Sequence, residues 1–321
     1  MKKASITSSE RTGGQEKQLK RMLEDKARSA VELALSKVNP SKKDIQKLLG
    51  LGDEIGSEMI NFTIAQFQKH STSNQPVNKA VVYSRHTYPP EYRGPKSIED
   101  QINLLLKHLP GLDPEATFRY MHDVYSKLNL PEWVEGPFVV PNEYVLAEKF
   151  YPEIKGNLAR YCAGVNLILE KIGASRAFYN YRAGQITANR FKRTAQTTEM
   201  IDRLIDMQKG ADIIIHPMQL GVRYAGRAVK DVRKLYTAQE FGEGSLEVGS
   251  IVLTHPERLV RWEQLHMDCP GDEFSYGADG VFGYAPLFYF NDDRVKFDAS
   301  RVGYANELFG SASGFLLPLP Q

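Results

Sequence analysis

Two of the seven histidines close short apolar runs in the same way: ADIIIHP ends on His216-Pro217 and GSIVLTHP on His255-Pro256. If both runs are strands joined through the helix-like GRAVKDVRKLY, they form a βαβ unit with parallel neighbours and a right-handed crossover. Ligands of open α/β sheets bind at the carboxyl ends of such strands. His216 and His255 would then share a pocket, where imidazoles can hold a metal or move a proton near neutral pH. The loop HMDCPGDEF gathers His266, Asp268, Cys269, Asp272 and Glu273 nearby, so His216, His255, His266 and Asp268 are the candidates for a histidine- or metal-assisted hydrolase. The loop has neither zinc nor calcium spacing, and acids beside Cys269 raise its thiol pKa. No metal or cofactor and no cysteine nucleophile are expected. The plainer role for each imidazole is a backbone hydrogen bond at a strand end, with the proline as a stop.

A second constellation is cationic. In QLGVRYAGRAVKDVRK, Gly221 and Gly226 bracket four residues before Arg227, a partial likeness to a phosphate-binding loop. Arg227 stands where that loop has lysine and Ala228 where it has the metal-binding hydroxyl, which argues against magnesium-dependent nucleotide hydrolysis. Backbone N–H groups at a helix start, with Arg223 and Arg227 close by, still suit an anion. Upstream, a helix over 187–209 would carry Arg190, Lys192 and Arg193 in its first turns, where the helix dipole disfavours cations. Phosphates from outside or acids from within the chain would offset them, and Tyr179, Tyr181 and Phe191 offer stacking surfaces. Residues 181–237 hold 11 Lys+Arg against 5 Asp+Glu, whereas 238–321 hold 5 against 13. Such neighbours either match each other internally or present a basic binding face.

The elements that must position these residues follow from periodicity. Residues 1–14 read as a disordered tail and 15–75 as a helical region in which Asn39-Pro40 stops the first helix and Ser41 with Asp44 caps the next. STSNQPVN reads as a linker and AVVYSRHTY as a strand. Residues 76–180 are mainly helical, with starts at Ser97 and at Asp113-Pro114-Glu115 and another helix over 157–171. Residues 181–321 read as an α/β domain with strands near 212–216 and 248–253, a helix near 226–237, another helix after Pro256, and a C-terminal hairpin turning at Asn291-Asp292-Asp293. The class is α+β or α/β: a helical N-terminal region, then a small mixed sheet flanked by helices.

The block EFGEGSLEVGSIVLTHPERLVRWEQLHMDCPGDEF, with GQIT near Gln185 and the terminal FGSASGF, resembles a family of uncharacterised bacterial hypothetical proteins. The resemblance covers roughly the second half of the chain, implies that 180–321 form one structural unit, and carries no activity. With two cysteines, no signal-like start and no membrane-length apolar stretch, a cytoplasmic protein is expected. The leading functional expectation is a nucleic-acid or phosphate-ligand binding module using Arg190, Arg193, Gly221, Arg223, Gly226 and Arg227. The hydrolase is the alternative, and a structural protein that docks a protein partner through its N-terminal helices is the third class.

Overall fold

The computed structural model describes residues 81–277 and 280–316, together with 21, 28, 31–33 and 35–50. The chain divides into two units, Met1–Val77 and Asn78–Gln321. In the first, Asn39 takes φ 47° and breaks the chain before helix α1, Lys42–Gly50. There Ser41 N–H donates to Asp44 Oδ2 at 3.1 Å and Asp44 N–H to Ser41 Oγ at 3.3 Å, a reciprocal cap. The expected tail, the linker and a helix ending near His70 fall outside the described residues.

The second unit contains helices α2 (Ile98–His108), α3 (Glu115–Asp123), α4 (Glu143–Phe150), α5 (Asn157–Ser175), α6 (Ala195–Met207), the single turn α7 (Val229–Val232) and α8 (Ser245–Thr254). Its strands are β1 (Gly136–Pro141), β2 (Phe178–Asn180), β3 (Phe191–Arg193), β4 (Ile213–Gln219), β5 (Glu240–Gly242), β6 (His266–Asp268), β7 (Asp272–Phe274), β8 (Tyr284–Asn291), β9 (Arg294–Arg301), β10 (Phe309–Ser311) and β11 (Ser313–Phe315). This is a mixed α+β fold with helices against two sheets. The first sheet runs β1-β4-β11-β5 and is antiparallel throughout. The second runs β10-β6-β8-β7-β3, with β9 beside β8 and β2 beside β9. One hydrophobic core extends from Tyr92 to Phe315, so residues on both sides of position 180 share it.

The run expected as the second parallel strand is instead α8, buried along its whole length. A helix that is apolar all round is a core helix, and Leu246, Val248, Ile251, Val252 and Leu253 supply that character here. Its hydroxyls do not oppose burial, because Ser250 Oγ donates to Leu246 O at 2.7 Å and Thr254 Oγ1 to Ser250 O at 3.1 Å. At its start Gly244 N–H donates to Glu247 Oε2 at 3.1 Å. Gly249 lets it press onto α5 and β8: a Cβ there would lie 2.7 Å from Ile168 Cγ2 and 3.3 Å from Phe288 Cζ. The expected βαβ unit is therefore absent, and β4 lies between two antiparallel neighbours, β1 and β11.

Three smaller differences share a cause, local pattern giving way to tertiary pairing. The helix expected over 187–209 begins only at Ala195, capped by Thr194, because 191–193 pair antiparallel with β7. Pro256 opens only a short 3-10 turn, Pro256–Arg258. Of AVVYSRHTY, the described residues 81–88 make one isolated bridge, Val81 to Arg227, and otherwise form no regular element. The hairpin forms as expected, with Asp292 at φ 50° and Asp293 at φ 57° as its two-residue turn.

Candidate functional site

His216 and His255 have no polar partner in common. His216 sits inside β4, wholly buried, stacked on Phe241 at 5.4 Å, with Nε2 3.1 Å from Glu243 Oε1 at an angle too skewed for a good hydrogen bond. Burial raises the Glu243 carboxyl and the adjacent His216 draws it back. Gly314 closes this site, since a Cβ there would fall on both Glu243 Oε1 and His216 Nε2. His255 ends α8. Its Nε2 accepts from Lys96 N–H at 3.0 Å, its Nδ1 meets Thr254 Oγ1 at 2.9 Å, and its ring meets the edges of Phe138 and Tyr92. Burial, then Lys96, pushes His255 down to about 3, so it stays neutral. Both imidazoles are packed into the core, and the shared pocket inferred for them does not form.

The glycines of the phosphate-loop likeness serve chain crossings. Gly221 takes φ 117° with its backbone against Gly310, and Gly226 takes φ 74° with its backbone against Val82. Their N–H groups are already used, Gly221 by Gln219 Oε1 at 2.8 Å and Gly226 by Phe309 O at 2.8 Å. Arg223 stacks on Trp133 at 4.5 Å and bonds Glu240. Arg193 is buried, both its amino groups held by carboxylates, Glu143 and, at 2.5 Å, Glu247. Lys192 and Arg233 pair with Glu273, and Arg182 with Asp298. Five of the eleven basic residues in this segment are thus matched to the acidic one that follows it. Arg190 and Arg227 are half-buried and hold no carboxylate among the described residues.

Arg193 centres a buried network. Its guanidinium lies 4.0 Å over the Tyr161 ring, and Tyr161 Oη donates to Asp272 Oδ1 at 2.8 Å, while Ser245 N–H donates to Asp272 Oδ2. Desolvation carries Glu143 up to about 7 and Asp272 to about 6 against the pull of Arg193. Only Arg193 Nε among the groups of this network is left without a hydrogen-bond partner, and the arrangement ties α4, α5, β3, β7 and α8 together.

The outer face of the second sheet is different. Met267, Phe288 and Phe297 point into the core, so their neighbours in sequence lie on the opposite face, where His266 and Lys296 are nonetheless buried. The registers put Phe309 of β10 beside His266 of β6, Tyr289 of β8 opposite Lys296 of β9, and Tyr179 of β2 beside Lys296. His266 is 6.1 Å from Tyr289 and 5.2 Å from Phe309, ring centre to ring centre, which closes the row across five strands. Trp262, 40% exposed, tilts over His266 at 5.2 Å, and Tyr179, 42% exposed, meets Tyr181 at 4.7 Å. Lys296 Nζ lies 6.0 Å over Tyr289 and bonds Asp292. Arg227 lies just beyond Phe309, since Gly226 N–H donates to Phe309 O.

One step along the strands, Asp268 of β6 lies beside Ser311 of β10 and opposite Leu287 of β8 on the same face. Ser311 Oγ and His266 Nε2 are buried without hydrogen-bond partners. Asp268 is 7% exposed, and burial alone pushes its carboxyl up to about 7. Burial, then Arg258, pushes His266 down to about 3. Of the four hydrolase candidates, His266 and Asp268 lie on the same strand face, two residues apart on β6. Trp262, Tyr289, Lys296, Phe309 and Ser311 were missed; the alternation His266-Met267-Asp268 was the available sign of a strand with a polar outer face. Among the described residues no His, Cys, Asp or Glu cluster is arranged to hold a metal, and no helix is long and apolar enough to cross a membrane. No family model, curated protein or solved structure matches the chain.

Proposed function

We propose that this protein binds single-stranded nucleic acid on the outer face of its second sheet. The observation that carries the reading is the row Phe309, His266, Tyr289, Lys296 and Tyr179, in register across five strands and overhung by Trp262. Sheet-face aromatics stack unpaired bases in the manner of RNA-binding sheets, and stacking tolerates any sequence because every base has a π-face. Arg227 beyond one end and Arg294 toward the other supply charge for the phosphate backbone. This moves the anticipated binding role away from Arg193, Gly221, Arg223 and Gly226, whose groups are already partnered, and keeps Arg227 within it.

The test is a titration of a dye-labelled mixed-sequence single-stranded oligonucleotide with the protein, followed by the label's anisotropy at several salt concentrations, with tryptophan fluorescence as a second readout for the wild type. Binding should quench the indole and weaken steeply as salt rises. Trp262→Ala and Tyr179→Ala should each cost about 1 to 3 kcal/mol, the stacking worth of one base. A protein that shows no salt-sensitive binding at low ionic strength, or that binds equally well in both variants, does not work this way.

A further inference from the structure

Independently of what the sheet face binds, we infer that β11 is a proton-dependent strap, closed over the buried pair His216 and Glu243 while the pair holds one proton and opening locally when that proton leaves. His216 belongs to β4, Glu243 directly follows β5, and β11 runs between those two strands, with Gly314 paired to Met218 on one side and to Phe241 on the other. Gly314 presses directly on the pair, because a Cβ there would fall on both His216 Nε2 and Glu243 Oε1. Those two atoms are 3.1 Å apart, both residues are wholly buried, and neither the ring nitrogens nor the carboxylate oxygens have a well-aligned hydrogen bond to another described group. The strap over them is weakly held. It has three residues, meets β4 at two register positions and β5 at three, and carries one large apolar side chain, Phe315, whereas β4 is paired with β1 over six positions. An element held by so little opens at a lower free energy than the core around it.

Nothing around the pair balances a charge on it. Glu243 faces His216 from β4, Glu247 from α8, Arg193 from β3 and Tyr236 from the segment before β5, while β1 and β11 bring no charged residue. Arg193 is already held by Glu143 and Glu247. With one proton the pair is either a neutral carboxyl beside a neutral imidazole or a carboxylate beside an imidazolium, and its net charge is zero. With none it is an anion in a dry site, and with two a cation, both costly to bury. Burial raises the Glu243 carboxyl in keeping with this. Once β11 lifts and water enters, a carboxyl and an imidazole titrate at their ordinary values of about 4.3 and 6.5. Between those values the open pair also holds one proton, so opening is not coupled to pH. Above the upper value the open pair has lost the proton that the closed pair keeps, and closure weakens about tenfold for each further pH unit.

The experiment is hydrogen–deuterium exchange on the full chain at pH 5.5 and 7.5, read by mass spectrometry and corrected for the intrinsic pH dependence of amide exchange. The peptide covering 312–316 should exchange faster than α5 at both values, and its protection should fall by about tenfold between them. Glu243→Gln leaves an imidazole with no carboxyl to share its proton, so the closed site is neutral without one. The open imidazole then takes up a proton at the lower pH, and the variant's protection at 312–316 should rise by about tenfold from pH 5.5 to 7.5 instead of falling. The wild-type measurement stands without the variant. Equal protection of 312–316 at the two pH values overturns the strap, and so does exchange there no faster than in α5, since the segment would then open only with the whole unit. A Glu243→Gln protein that keeps the wild-type fall overturns it as well, because the proton would then belong to another buried group.

Discussion

Asp268→Asn makes the energetic consequence of the outer face measurable without any ligand. The wild-type carboxyl is carried from its ordinary 3.8 to about 7 by desolvation alone, so between those pH values the folded protein holds a proton that the unfolded chain has released. Stability must therefore be at its full value below about pH 4, fall as pH rises toward 7, and level off above it. At about 1.4 kcal/mol for each tenfold change in proton affinity, the Asp268 contribution lost over that window is about 4 kcal/mol. Asparagine has the same shape and no proton to lose, so it lacks this slope, while Glu143 and Asp272 contribute equally in both proteins. Urea titrations at pH 4.5, 6 and 8, read through Trp262 fluorescence, give the difference directly. The variant should gain on the wild type as pH rises, by about 2 to 4 kcal/mol between pH 4.5 and 8. Parallel stability profiles for the two proteins would refute the reasoning, because they would mean that Asp268 is ionised in the folded state at no cost.

Two further substitutions probe the buried polar groups. Arg193→Met leaves Glu143 and Glu247 buried without their cation and should cost about 3 to 5 kcal/mol at pH 7 by urea denaturation, with a smaller loss at pH 5, where Glu143, near 7, and Asp272, near 6, take up protons. Gly314→Ala places a methyl group on the contact between His216 and Glu243 and should lower stability by about 1 to 3 kcal/mol or more, measured as a lower midpoint of thermal unfolding.

What could be read from the residues was mostly local. Helix starts announced themselves at Ser97, whose side chain accepts from Asp100 N–H, and at Ser41 with Asp44, because a cap is a contact between residues three apart. The Asp292-Asp293 turn was visible for the same reason. The nature of 245–254 was not, since a short apolar run has no polar face to show its period and suits a buried strand as well as a buried helix. Three-residue strands such as β6 and β10 exist only through their neighbours, and β10 reaches β6 from some 40 residues away along the chain. The proposed binding row is assembled entirely from such pairings. His266 and Asp268 attracted notice as residue types in a loop, but Ser311, Tyr289 and Lys296 could join them only once strand order was known. The matching of Arg193 to Glu247 and Arg223 to Glu240 was foreshadowed by the opposite charge of the two segments, without either partner being identifiable.

The passage from β10 to β11 has a bearing on how the unit closes. Phe309–Ser311 lies beside β6 in the second sheet and Ser313–Phe315 lies between β4 and β5 in the first, with Ala312 alone between them. A single residue therefore stitches the two sheets. Without β11, β5 has no strand to pair with, and without β10 one edge of β6 stays open. The unit from Asn78 onward therefore closes only when the segment Phe309–Phe315 docks, and a chain without that segment would present unpaired strand edges in both sheets.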